Sequence, residues 1–240
     1  MISKVKNDLF DYKNRYIMQI KDGFKFSLDS LLLAEFVKIK KDDKKILDMC
    51  TGNAPVPLVL SLKTDAEIVG FEIQKEISEL ALESVKFNCL EKNIRIINDD
   101  IKNIDNYFES NTFDVITCNP PYFKTKEDGY RNKNDFLTLA RHEIAIDLET
   151  IFKIASKYLK DNKAFYLVHR VERLDDIIVL ARENKMNVKE LQFISTKKEK
   201  AANTILVKCV KNGKPGIKLR KEICVDNLDT YQHLFESEVI

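Results

Sequence analysis

The stretch Ile46-Leu-Asp-Met-Cys-Thr-Gly-Asn-Ala54 is a short apolar run that ends in an acid, passes through a turn with one glycine and enters a helix near Pro55. Proline suits the first helical position because its missing N–H would have no partner there. The glycine lets a ligand approach the backbone closely. Downstream the same form recurs as a brief apolar run followed by a longer amphipathic segment, the sequence form of repeated βαβ units. Strands are expected near residues 45–50, 67–72, 94–98, 113–118 and 163–169, and helices near 55–63, 75–91, 147–160 and 171–185. The last apolar runs, Leu191 to Ser195 and Thr204 to Val210, have no evident helix between them and read as a closing antiparallel pair. The expected fold class is α/β with a mostly parallel sheet.

Upstream of this pattern, Tyr16 to Ile20 alternates weakly and Phe24-Lys-Phe26 follows Asp22-Gly23, which reads as a hairpin around a D-G turn. Ser27 or Asp29 can cap a following helix that carries Leu31, Leu32, Ala34, Phe36 and Val37. The expected organisation is a hairpin-and-helix extension over residues 1–44 and one compact body over 45–240.

Composition narrows the class. With 240 residues, 44% hydrophobic and 32% charged, the chain is a globular protein with enough length for a sizeable core. A formal charge of +2 does not announce a nucleic-acid binder, so any basic surface must be local. The five cysteines are odd in number, widely spread and without a C-x-x-C pair, so neither a zinc site nor a disulfide framework is expected. His142 and His169 have no partner at metal-ligand spacing, and no metal is expected. Charges at Lys4, Lys6 and Asp8 speak against a secretory signal, and no stretch approaches the ~20 apolar residues of a membrane span. A cytoplasmic setting is expected.

A parallel sheet binds its ligand outside the carboxyl ends of its strands. The residues to inspect are therefore Asp48 to Ala54, Glu72, Asp99-Asp100 and Asn119 to Tyr122. Glu72, after Gly70-Phe71, is placed where a carboxylate could accept hydrogen bonds from both ribose hydroxyls of a nucleoside. The strongest signal is Phe113-Asp-Val-Ile-Thr-Cys-Asn-Pro-Pro-Tyr122, in which a buried-type strand runs straight into Asn-Pro-Pro-aromatic. The prolines stiffen the loop and hold Asn119 and Pro120 extended. An adenine amine is a poor nucleophile with two protons, and it needs acceptors rather than a strong base. The Asn119 side-chain oxygen and the Pro120 carbonyl can accept its two N–H bonds, and the Tyr122 ring can stack on the base.

These residues resemble the class I S-adenosylmethionine-dependent methyltransferases of the Asn-Pro-Pro-Tyr type. A narrower resemblance rests on Phe24-Lys-Phe-Ser-Leu-Asp-Ser-Leu-Leu-Leu-Ala34, Phe71-Glu-Ile-Gln74, Thr117 to Phe123, Ala140-Arg-His-Glu143, Val168-His-Arg-Val-Glu-Arg-Leu174 and Lys198-Glu-Lys-Ala-Ala-Asn203. It is to the bacterial tRNA adenine-N6 methyltransferases that modify valine tRNA beside the anticodon. The resemblance implies a Rossmann-like fold with a mostly parallel seven-stranded sheet, helices on both faces and a small N-terminal extension. It also implies S-adenosylmethionine as cofactor and tRNA as substrate.

By the same resemblance, Asp48 and the turn through Thr51 and Gly52 hold the methionine part of the cofactor, Glu72 its ribose and Asp100 its adenine amine, and Asn53 and Asn119 are also cofactor-binding. Phe26, Ser27 and Asp29 line the cofactor or base pocket, and Asn119, Pro120 and Tyr122 are catalytic. Arg141 and His142 fit the pattern without an assigned chemistry. The chain departs from the pattern in the cofactor turn, where Cys50 and Ala54 stand at positions usually occupied by glycine.

Basic residues concentrate at Lys38 to Lys45, Lys124 to Lys133, Lys197 to Lys200 and Lys211 to Lys221. Phe123, Lys124, Lys126, Arg131 and Lys133, just after the catalytic residues, and Lys197, Lys198 and Lys200 are the candidate RNA contacts. Two other readings remain. Asn-Pro-Pro-Tyr also serves glutamine N5-methylation of release factors, although only about 45 residues precede Ile46, little for the helical domain of such enzymes. A non-catalytic RNA-binding protein with a decayed cofactor turn is the other.

Overall fold

The computed structural model describes residues 4–9, 12, 14–21, 27–121 and 146–226. In chain order its elements are β1 (Lys4–Asp8), β2 (Tyr16–Ile20), α1 (Leu28–Phe36), β3 (Lys45–Met49), α2 (Pro55–Leu60), β4 (Glu67–Phe71), α3 (Lys75–Phe87), β5 (Ile94–Ile97) and β6 (Phe113–Cys118). These are followed by α4 (Leu148–Tyr158), β7 (Leu159–Arg170), α5 (Leu174–Glu183), β8 (Met186–Ser195), β9 (Thr204–Lys211), β10 (Lys218–Leu219) and β11 (Ile223–Cys224).

The main sheet has the order β10-β8-β9-β7-β6-β3-β4-β5, with β11 also paired to β8. Strands β3 to β7 are mutually parallel where they pair, and β9 is antiparallel to both neighbours. The seven expected strands are all present, but the sheet has nine. The addition arises because β8, at the sheet's edge, would otherwise expose a row of unpaired backbone groups, and the chain after Lys211 lays two short strands along it.

Strand side chains alternate between two apolar layers. Leu47, Met49, Ile116, Cys118, Phe165 and Leu167 pack with Ile151 and Phe152 of α4 and Ile177 and Ala181 of α5. Ile46, Ile68, Val115, Tyr166 and Val168 face the other way, against α1 and α2. A sheet covered on both faces explains why the parallel strands read as continuous apolar runs. Asp147 starts α4 by accepting from Thr150 N at 2.7 Å.

The N-terminal hairpin differs from expectation. Tyr16–Ile20 pairs antiparallel with Lys4–Asp8, whereas Asp22 to Phe26 lie outside the described residues. The backbone of β2 is held by side chains of α3: Ser84 Oγ accepts from Met18 N at 2.9 Å, and Asn88 both accepts from Tyr16 N and donates to Tyr16 O. Ser84 and Asn88 therefore satisfy a strand edge, not only the interior of a helix.

Candidate active site

The carboxyl ends of β3, β4, β5 and β6 lie side by side, and the turn after β3 is tied to its neighbour by Thr51 N donating to Phe71 O at 2.8 Å. Cys50, Gly52 and Ala54 have φ of 58°, 59° and 72°, so every second residue of this turn is left-handed. A Cβ on Gly52 would meet nothing within 4 Å, which leaves that side of the turn open. Gly70 is needed for a different reason. A Cβ there would lie 2.8 Å from Thr51 Oγ1.

Two carboxylates are buried beside the turn. Asp48 is 1% exposed, and its oxygens accept from Thr51 Oγ1 at 2.7 Å and Thr117 Oγ1 at 2.6 Å. Burial, reinforced by nearby Glu72, pushes its carboxyl up to about 7. Glu72 accepts from Gly52 N at 3.0 Å and Gln74 N at 2.9 Å, and burial raises it too. Neither has an ion-pair partner among the described residues. Two buried acids without a cation make a site suited to a positively charged ligand that also carries hydroxyls.

Asp100 stands at the end of β5, where its Oδ1 caps a short 3-10 helix by accepting from Lys102 N at 3.0 Å. Asn98 Nδ2 donates to Glu72 O at 2.8 Å and ties this strand end to the next. Asn53 is turned elsewhere: its amide donates to Met18 O at 2.9 Å and joins the turn to β2.

Asn119 follows β6, two residues after the threonine that holds Asp48. Its Nδ2 donates to Ser30 Oγ at 2.8 Å and reaches Ser27 Oγ at 3.5 Å. Ser27 is the N-cap of α1 yet makes no side-chain capping bond. Asp29 lies in the first turn of the same helix. Pro120 is buried. Phe26, Tyr122, Phe123, Lys124, Lys126, Arg131, Lys133, Arg141 and His142 lie outside the described residues.

Lys197, Lys198 and Lys200 are exposed in the β8–β9 connection. This connection is on the same edge of the sheet, because Val171 N, just past β7, donates to Asn203 O at 3.1 Å. His169 is held neutral, its imidazole lowered to about 4 by burial and by Arg173, with Nδ1 accepting from Arg170 N. Sequence reasoning missed Ser30 and Thr117. Ser30 is three residues beyond Ser27 and so shares its helix face, but Thr117 gives no signal until the β3–β6 register is known.

Residues 40–223 match the model of a family described as "Methyltransferase domain". The chain belongs to this methyltransferase domain family. A relative in Tolumonas auensis named tRNA1(Val) (adenine(37)-N6)-methyltransferase is 27% identical over 92% of this chain and 90% of its own. The domain also matches the crystal structure of a predicted O-methyltransferase from Agrobacterium tumefaciens, with TM-score 0.65 and 17% identity over 83% of this chain and 88% of that one. A putative class I S-adenosylmethionine-dependent methyltransferase from Listeria monocytogenes matches with TM-score 0.59 and 15% identity over 90% and 72% of the two chains. The fold of this methyltransferase domain is thus the Rossmann-like class I fold. Among the described residues no helix is long and apolar enough to cross a membrane, and no group of three or more His, Cys, Asp or Glu is placed to hold a metal.

Proposed function

We propose that this protein methylates the exocyclic amine of an adenine in tRNA, the reaction for which its Tolumonas auensis relative is named, with S-adenosylmethionine as donor. The observation that carries the reading is the place of Asn119 at the end of β6, its Nδ2 donating to Ser30 Oγ at 2.8 Å, beside the buried acids Asp48 and Glu72 at the neighbouring strand ends.

The cofactor, when bound, supplies a methyl group on an electrophilic sulfonium. Asp48 would hold its ammonium and Glu72 its ribose hydroxyls, and the open backbone at Gly52 would let it lie close. Asp100 would accept from its adenine amine. Asn119 Oδ1 and the Pro120 carbonyl would accept the two N–H bonds of the target amine, which would raise electron density on nitrogen and fix the direction of its lone pair. After transfer the surplus proton leaves to water. Tyr122 is assigned to base stacking, Phe26, Ser27 and Asp29 to the pocket wall, and Thr51 and Asn53 to support of the turn.

Ser30 is a positioning residue, because an amide turned by half a revolution would offer donors to a donor. The extension over residues 1–44 thus contributes to catalysis through α1. Lys197, Lys198 and Lys200, together with Phe123, Lys124, Lys126, Arg131 and Lys133, are assigned to the RNA. The target is position 37 of valine tRNA.

The test is incubation with radiolabelled S-adenosylmethionine and total tRNA from a strain lacking the protein, followed by nucleoside analysis. Label in N6-methyladenosine that disappears with Asn119→Ala is expected. Cofactor binding without label in any tRNA would overturn the substrate assignment.

A further inference from the structure

On the face of the sheet that carries α1, one row of paired residues crosses from the cofactor site to the far edge. Asp48 pairs with Thr117, Thr117 with Tyr166, Tyr166 with Lys208, Lys208 with Glu190 and Glu190 with Lys218. Helix α1 covers the middle of the row, where Phe36 stands edge-on to Tyr166 at 5.8 Å. Beyond it the row opens into a concavity of about 440 Å³ whose lining includes Lys189, Glu190, Lys208, Gly216, Ile217 and Lys218.

The charge of this concavity is lopsided. Glu190 is bound by Lys208 at 2.9 Å and Arg220 at 2.6 Å, and these two cations hold its carboxyl at about 2. Lys189 and Lys218 complete the lining with no further carboxylate, so three lysines face one acid, a surplus of two positive charges, which Arg220, paired with Glu190, raises to three. Three of these cations are held in place: Lys208 by Glu190, Arg220 also over the Phe36 ring at 4.2 Å, and Lys189 by donating Nζ to Lys214 O at 3.0 Å and Pro215 O at 3.5 Å, which leaves it one N–H for an anion. Lys214 and Lys221, both exposed, extend the charge along the segment that laces β10 and β11 to β8.

We propose that this concavity is a docking surface for the phosphate backbone of the RNA substrate, away from the methylated base. The inference rests on the tRNA reading above. From Thr117, two residues before Asn119, to Lys218 is four strand spacings, or ~19 Å at ~4.8 Å each. On the B-DNA scale of ~3.4 Å per nucleotide, which the tighter A-form helix of RNA does not reach, this corresponds to at least five or six steps along a helical strand. A target base in a loop therefore places phosphates of the adjoining stem over the lysines. Lysine contacts of this kind fix the orientation of the RNA without reading its sequence, which suits recognition of a folded RNA by shape.

The test is the double charge reversal Lys189→Glu with Lys218→Glu in the full-length protein, with cofactor affinity and thermal unfolding as checks of the fold. Binding of transcribed valine tRNA is measured over a range of salt concentrations, beside a short loop-only RNA. Tenfold or greater weakening for tRNA is expected, with the slope of log affinity against log salt reduced by about 2, one for each lysine, and no change for the loop-only RNA. Unchanged tRNA affinity and slope in a variant whose parent binds and methylates tRNA would overturn the docking surface alone. A parent that binds no tRNA would overturn both readings. Equal weakening for both RNAs would overturn the remote contact in favour of a general loss of charge attraction.

Discussion

Replacing Asp48 by Asn removes a buried charge and keeps its shape. In the folded protein Asp48 is 1% exposed, accepts from two threonine hydroxyls and titrates at about 7, chiefly because of burial. An unfolded aspartate titrates near 3.9, so the folded state keeps a proton that the unfolded state gives up. The stability tied to this proton is complete below about pH 4 and is lost as the pH rises through 7. Between pH 5 and pH 8 the loss is about 2.5 kcal/mol, or ~5–10 °C in Tm for a chain of this size. Asn has no such titration, and a threonine hydroxyl can turn to accept from its amide. Urea denaturation of both proteins at pH 5, 6, 7 and 8, without cofactor, isolates the effect because groups common to both cancel in the difference. The variant should gain about 2.5 kcal/mol on the parent across this range while losing affinity for the cofactor. Parallel stability curves would refute the claim that Asp48 is an uncompensated buried acid held for a cationic ligand.

In the parent, cofactor affinity should rise about fivefold from pH 6 to just above pH 7 as the Asp48 carboxylate forms, and fall again above about pH 8 as the ligand's α-ammonium loses its proton; a calorimetric profile with no rise on the acid side would remove Asp48 from the site. Gly70→Ala places a methyl 2.8 Å from Thr51 Oγ1, so Thr51 must leave Asp48, and equilibrium dialysis should show cofactor binding at least tenfold weaker. Affinity equal to the parent's would show that the turn moves without cost. Ser30→Ala should lower kcat by about tenfold with cofactor affinity intact, and Ser30→Thr should recover most of it, because the hydroxyl is the group on residue 30 that accepts from Asn119 Nδ2. A loss of equal size in both variants would point to packing instead.

The parallel strands were legible because burial on both faces writes each as a continuous apolar run. Boundaries moved where backbone geometry outweighed propensity: α4 stops at Tyr158, and β7 starts at Leu159, earlier than the run from Lys163 indicates. Strands β10 and β11 were invisible, since two-residue pairings carry no periodicity and come from the needs of an open edge. The pairing of Tyr16–Ile20 with Lys4–Asp8 was not legible because no D-G type turn stands between them, and they are joined through Leu9 N donating to Arg15 O at 2.8 Å, while the D-G segment itself lies outside the described residues. In the site, strand-end acids and the Asn-Pro-Pro run could be read directly. Ser30 and Thr117 could not, because each acts through a residue that is distant in sequence and adjacent only in the fold.

The departure of Cys50 and Ala54 from glycine bears on whether the cofactor turn is intact. Both residues keep the left-handed backbone that glycine would adopt freely, at a cost of roughly 1–2 kcal/mol each. Such strain persists only where the surroundings over-determine the conformation. Here they do, because the Ala54 methyl is fully buried and Cys50 packs against the core beside the buried thiol of Cys118. The two side chains are therefore turned into the protein, while the position above Gly52, where a ligand would lie, stays open. A decayed turn would have relaxed toward ordinary dihedrals and filled that space. The chain instead keeps the left-handed path, with Asp48 and Glu72 free of ion pairs among the described residues, so the backbone shape that admits a ligand at Gly52 is preserved while the two substituting side chains pack towards the core.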